Sequence, residues 1–527
     1  MSLGTALALS MLAGFAYWSR RFLGDWFLER PIILGPLTGL IMGDFAMGLL
    51  VGGTLELIFM GAADIGGSVP PNYTIGSVLG TAFAILSGQG IETALAIAIP
   101  AALLGSFFEL IAKTVSTVFV SFAEKYADSG NDKGIAWMLH LGNIAHFLAD
   151  AIPTFFALML GADIVKVLVN EIPVWLKNGL SATGNALPAL GFALLLNSLA
   201  PGKLMPFFFA GFLIAAYAKF GVLGTALLGL LVALLINYMK KENNEEIPYE
   251  DNEVAASTAG ESLLTKKDIK TIYFRSFALQ SAFSFDRMQA IGFTWILMPF
   301  LKKIYKNNFE GYKAALKRHL LFFNTHPWLC GPILALTANM EAKKASGEEI
   351  DEQTIQGVKS GLMGPLAAMG DSMFHGTLRP LVGGICASLA LQKNPIAPLI
   401  FFVVVNAVHV YVSWATLDST YRLGESAITR LAGNGYKRIM DIACITGLMS
   451  VGALTATWLN ISTPLAYTVG KSIVSIQSMV DGIMPGLLPL LTMLIVYYFV
   501  RKGSKTTNLM LGIIGVAFAL GAVGVIG

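Results

Sequence analysis

Charge is what this chain has least of. Only 13% of its 527 residues are Asp, Glu, Lys or Arg, about half of the roughly 25% usual in soluble domains, while 55% are hydrophobic and the mean hydropathy is +0.66. A water-soluble globule is excluded. The net charge of +3 supplies no basic face of the kind nucleic acid requires. Cysteine is scarce as well: Cys330, Cys386 and Cys444 stand alone, without CxxC or CxxH spacing, so neither a disulfide frame nor a metal site is expected. His140 and His146 lie six apart, which is not the i, i+4 spacing of ligands on one helix face. No Walker motif or cofactor pattern is present, so the chain has no energy source of its own. Met1 to Tyr17 is apolar, but Arg20 and Arg21 follow it rather than precede it. It therefore reads as a retained first helix and not as a cleaved signal.

What the sequence has in abundance is apolar segments long enough to cross a hydrocarbon core of about 30 Å. A barrel would show short alternating strands instead, so the expected class is an all-α polytopic membrane protein. Spans are expected near 33–62, 75–91, 94–120, 144–168 and, in at least two pieces broken at Pro201, Pro206 or Gly221, 189–239. Between about 242 and 264 the chain turns acidic and polar, the composition of a flexible linker. Lysines at 240, 241, 266, 267 and 270 flank it and place it in the cytoplasm. It divides the chain into domains of 1–241 and 265–527. The second half begins with basic amphipathic segments between 302 and 360, expected on the cytoplasmic side. Its apolar spans are expected near 361–391, 396–417, 438–459, 482–500 and 509–527.

Two interruptions break this pattern. The first, Gly52-Gly-Thr-Leu-Glu-Leu-Ile-Phe-Met-Gly-Ala-Ala-Asp-Ile-Gly-Gly-Ser-Val-Pro-Pro-Asn72, sets Glu56, Asp64 and Asn72 among apolar residues, glycines and prolines. A carboxylate at membrane depth is costly unless it meets a partner or water. Broken backbone is tolerated there only against protein or a cavity. Both point to a midplane site of broken or re-entrant helices, as in transporters. A loop in water is the plainer reading, but the apolar flanks on both sides disfavour it. The second interruption, Gly361 to Pro380, carries Asp371, His375 and Arg379. There a mutually neutralising Asp–Arg pair is the architectural alternative.

These stretches resemble a known family. Gly53-Thr-Leu-Glu-Leu-Ile-Phe-Met-Gly with Pro70-Pro-Asn72 is similar to component IIC of the mannose-type (mannose, fructose, sorbose) bacterial sugar phosphotransferase permeases. Phe274-Arg-Ser-Phe-Ala-Leu-Gln-Ser-Ala-Phe-Ser-Phe-Asp-Arg-Met-Gln289, Phe322-Phe-Asn-Thr-His-Pro327 and Gly370-Asp-Ser-Met-Phe-His-Gly-Thr-Leu-Arg-Pro380 are similar to component IID. The family generally encodes the two separately; here they are fused. His375 replaces a common Trp, and Ser284-Phe-Asp replaces a common Asn-Tyr-Glu.

The resemblance implies a multi-pass protein of the bacterial inner membrane. It also implies a trimeric assembly in lipid, with cytoplasmic IIA and IIB phosphoproteins as partners and a phosphohistidine on IIB as the phosphoryl donor. The substrate would be a hexose or an amino sugar, whose hydroxyls need side chains that both donate and accept hydrogen bonds. The residues expected to line the site are Glu56, Asp64, Asn72, Gln280 and Asp371, with Phe283 or Phe285 as a packing face. Glu56, Asp371 and His375 are the candidates for any general base, although phosphoryl transfer can proceed on positioning and charge stabilisation alone. An ion-coupled carrier releasing unmodified sugar fits the same broken helices and buried acids.

Overall fold

The computed structural model describes residues 1–61, 70–88, 90–170, 174–199, 202–243, 264–423, 434–469, 472–504 and 506–526. Asp64 and most of the linker lie outside them. The chain is almost wholly helical; a two-stranded hairpin, β1 (Ala466–Val469) and β2 (Ser472–Ser475), is the exception.

Helix α1 (Leu3–Ser19) ends in a π-helical turn, Arg20–Gly24, after which Asp25 takes a left-handed φ of 63°. The segment 33–62 does not form one span. It folds as α2 (Pro31–Met42) and α3 (Phe45–Phe59), of 12 and 15 residues, about 18 and 22 Å long at 1.5 Å per residue and so too short to cross singly. Gly43, at φ 85°, makes the turn, and Asp44 caps α3 by accepting from Met47 N at 2.9 Å. Glycines let these two helices touch backbone to backbone: a Cβ on Gly35 would sit 2.5 Å from Gly48 O, the small-residue contact typical of packing in lipid.

Next come α4 (Tyr73–Ser87), α5 (Ile91–Asp128), α6 (Asp132–Asn170), α7 (Val174–Ala186), α8 (Pro188–Ser198), α9 (Met205–Ala218) and α10 (Val222–Asn243). The 189–239 run thus breaks where proline and glycine allowed it to. In the second half, α11 (Lys266–Ser276), α12 (Ala290–Ile304), α13 (Phe309–His319) and α14 (Gly331–Ala345) enclose Phe293, Phe323 and Trp328. Helix α15 (Glu352–Gly370) runs into a second π-helical turn, Asp371–Leu378, and continues as α16 (Arg379–Leu391). The chain closes with α17 (Ala397–Leu423), α18 (Asn434–Trp458), α19 (Ile476–Ile483), α20 (Leu487–Arg501) and α21 (Thr506–Ala522). Among the described residues five helices are long and apolar enough to cross a membrane, α5, α6, α10, α17 and α18, and the α19–α20 pair, bent by 76°, offers a sixth span.

The halves are interlocked. Lys302 pairs with Asp132 at 2.7 Å and Arg287 with Glu124 at 3.0 Å. Deeper in, Asn143 Nδ2 donates to Ser281 Oγ at 3.2 Å, Asn406 Nδ2 to Trp26 O at 3.1 Å, and Arg379 Nη2 to Met60 O at 3.0 Å. On the charged side, α13 and α15 are zipped together: Arg318 binds Glu341 and Glu352, Lys359 Nζ donates to His319 O, and Tyr305 Oη donates to Glu341 at 2.7 Å. His319 is fully buried there, 3.0 Å from Glu341.

Candidate functional site

Two π-helical turns, one from each half, face each other. Such turns are common at functional sites because the extra residue bulges the backbone and re-aims side chains. His375, on the second turn, holds Asp25 Oδ2 through Nε2 at 2.9 Å and has Nδ1 3.6 Å from Asp371 Oδ1. Asp25 is also 3.3 Å from Arg20 Nε. Both members of the His375–Asp25 pair are buried. Beside it lies a hollow of about 30 Å³ whose polar lining includes Arg20 and Arg21 from the first half and Gln280, Asn324, Asp371 and His375 from the second. Gln289 also lines it but is committed elsewhere: its Nε2 donates to Thr325 O at 2.8 Å and its Oε1 accepts from Thr325 N at 3.0 Å. Gln280 accepts from Arg21 Nη1 at 3.4 Å. Phe283 forms an apolar wall and Arg21 lies over its ring at 5.0 Å; Phe285 is exposed instead.

Glu56 lines no hollow among those described. Its carboxylate is buried against Arg30, accepting from Nε at 3.0 Å and Nη2 at 2.5 Å, and Oε2 also accepts from Ile32 N at 3.3 Å at the start of α2. Arg30 in turn covers the Tyr73 ring at 4.6 Å and donates to Phe59 O. Asn72 is the N-cap of α4. Its Oδ1 accepts from Ile75 N at 3.0 Å, its Nδ2 donates to Asp150 Oδ1 at 2.8 Å, and its own N–H reaches Ala102 O. It faces a second, smaller hollow of about 10 Å³, lined also by Tyr17, Arg20, Glu29, Tyr73 and Glu109. Arg20 Nη1 donates to Tyr73 Oη at 3.3 Å. An unbroken line of contacts therefore joins Glu56 through Arg30, Tyr73, Arg20, Asp25 and His375 to Asp371.

Of the residues singled out from sequence, Gln280, Asp371 and His375 meet at the larger hollow, Asn72 lies at the smaller one, and Glu56 is linked to both through Arg30. Missing from that reading are Arg20, Arg21, Asp25, Glu29, Arg30, Glu109 and Lys113, all buried. A signal for two of them was present, because Glu109 and Lys113 stand four apart inside an apolar span and pair at 2.8 Å. The rule applied to Glu56 covers them equally.

His326, Asp371 and His375 present ligand atoms within 4.8 Å of one another. Yet His326 Nδ1 already uses its lone pair to accept from Trp328 N at 3.2 Å, so a neutral ring keeps its proton on Nε2 and has none to offer a cation there. The trio suits hydrogen bonding better than metal binding.

Comparison with known proteins then decides the class. Residues 263–526 match the model of the mannose/fructose/sorbose family IID component of the phosphotransferase system, and residues 3–235 match the sorbose-specific IIC component. The chain belongs to the mannose/fructose/sorbose phosphotransferase permease family, with IIC and IID in one polypeptide. It is similar to the fructose permease IID component of Bacillus subtilis, 40% identical over 270 residues that make up 50% of this chain and 96% of that protein. It is likewise similar to the mannose-specific EIIC component of Escherichia coli, 34% identical over 224 residues, 42% of this chain and 84% of that protein. A solved chain from a complex of the mannose transporter ManYZ with a microcin is 34% identical, covering 51% of this chain and 100% of that one, at a TM-score of 0.31. As a family member the chain is a multi-pass sugar permease of the bacterial inner membrane, and the ion-coupled carrier is set aside.

Proposed function

We propose that this permease performs group translocation: a hexose or amino sugar enters at the contact between the IIC and IID halves and is phosphorylated from the phosphohistidine of a separate IIB component. IIA recharges IIB. The observation that carries the reading is the hollow whose polar lining comes from both halves. Arg21 and Gln280 donate and accept at one wall and Asp371 accepts at the other, the mixed complement that sugar hydroxyls need.

At about 30 Å³ the hollow holds little more than a water, which corresponds to a closed conformation of an alternating cycle. Asp371 is the best-placed acceptor for the hydroxyl proton, because its carboxylate lines the hollow and its side chain is 20% exposed. Glu56 supports the site from behind through Arg30. A trimer in the membrane and a linker confined to about 242–264, with domains of 1–241 and 265–527, complete the proposal.

The test is uptake of radiolabelled mannose, fructose and sorbose into vesicles containing the purified chain. Phosphorylated sugar appearing inside only with phosphorylated IIB supports it. Free sugar accumulating on an ion gradient alone overturns it.

A further inference from the structure

The smaller hollow contains a group that the reading above does not use. Glu29 is buried, and neither of its carboxylate oxygens receives a hydrogen bond from another described residue. Arg20 Nε stands 3.9 Å from it and lies closer to Asp25, at 3.3 Å. Glu109, the other carboxylate facing this hollow, is already held by Arg21 at 3.3 Å and Lys113 at 2.8 Å. A buried carboxylate without donors is costly, and one that lines a hollow is placed to take donors from whatever enters.

The two hollows share Arg20, and α5 gives their order. Asn72, at the smaller hollow, packs on Gly105, whereas Phe283, at the larger one, packs on Lys113. The larger hollow therefore lies farther along α5 than the smaller one. The larger hollow lies toward the end of α5 where Asp128 pairs with Lys317 of the basic amphipathic helix α13, the cytoplasmic side.

We propose that the smaller hollow, closed to about 10 Å³ here as the interface hollow is closed, opens during the cycle into a second hexose subsite, in series with the interface hollow and farther from the cytoplasm, in which Glu29 accepts a sugar hydroxyl and Arg20 is the residue common to both stations. This rests on the sugar-permease reading of the interface hollow.

Glu29→Leu and Glu29→Gln test it in the full chain. Binding of the tightest of mannose, fructose and sorbose is measured by calorimetry in nanodiscs, together with its monodeoxy derivatives. A charge-assisted hydroxyl contact is worth roughly 10- to 100-fold in affinity. Glu29→Leu should weaken the parent sugar by that factor and leave one deoxy derivative, the one lacking the contacting hydroxyl, bound as in the unmodified chain. Glu29→Gln, which keeps one acceptor oxygen, should lie between the two.

Equal weakening for every sugar would mean that Glu29 serves the fold or holds a structural water, and unchanged binding would mean that no sugar reaches it. Either overturns the subsite. Absence of hexose binding by the unmodified chain would instead remove the permease reading on which it rests.

Discussion

Replacing Glu56 separates a side chain that touches sugar from one that holds the site together. In Glu56→Gln the Arg30 guanidinium loses its buried counter-charge, and Ile32 N and two Arg30 donors are left with one neutral acceptor oxygen. Removing one partner of a buried ion pair costs about 3–5 kcal/mol, whereas replacing both with apolar side chains of similar volume is often close to neutral. The expected order of thermal stability in detergent is therefore the unmodified chain, close to Arg30→Met combined with Glu56→Leu, and both well above Glu56→Gln alone. Sugar binding should fall in Glu56→Gln in proportion to the loss of folded protein, because the carboxylate lines neither hollow. Fluorescence-detected size exclusion after a heating series, followed by calorimetry on the surviving protein, measures both. A Glu56→Gln protein that melts like the unmodified chain yet binds no sugar would refute the reasoning and return Glu56 to direct contact with substrate.

Three further outcomes are expected. Cleaving the chain at an engineered protease site near Asn252 should leave the two parts co-purifying, because Asp25–His375, Arg379–Met60 and Lys302–Asp132 bridge them; separation in mild detergent would show that the tether does the holding. Burial, reinforced by the positive charge of Arg318, pushes the Lys359 ammonium from 10.5 down to about 7, so between those values the unfolded chain binds more protons than the folded one. Stability should accordingly rise with pH across about 7 to 10.5, by up to roughly 1.4 kcal/mol per pH unit, and Lys359→Met, which keeps a chain of similar length between Phe293 and Phe323, should remove that slope and melt higher at neutral pH. Glu341 behaves oppositely: burial raises it, but His319 and Arg318 outweigh burial and hold it down to about 2. Its contribution is complete above about 4.5 and lost as pH falls toward 2, so Glu341→Gln should melt lower at neutral pH and lose its deficit in acid; an equal deficit at every pH would refute the assignment.

The class, the spans that became α5, α6, α10, α17 and α18, and the second interruption, now the π-helical turn Asp371–Leu378, were legible because lipid imposes a coarse code: long apolar runs, rare charges and glycines at contacts. Asp371, His375 and Gln280 were legible because they are polar residues flanking a break. Arg20 and Arg21 were not. On a first helix, arginines after an apolar run look like its watery end, and only the π-helical turn and the partners Glu109, Asp25 and Tyr73 show that they stay inside. The 33–62 segment misled for a related reason, since hydropathy records apolar length but not the reversal at Gly43. Glu56 was recognised as exceptional, but its partner Arg30 sits 26 residues earlier at the end of a loop, and pairing at that distance follows from tertiary packing alone.

The contact between the two π-helical turns has a consequence for grafting. Because Asp25 belongs to one former subunit and His375 to the other, the two positions are coupled: a donor IID carrying an indole at 375 would bring a larger ring whose single N–H must find the same carboxylate and which cannot carry a charge. Chimaeras assembled to redirect sugar preference should therefore inherit positions 25 and 375 from the same parent.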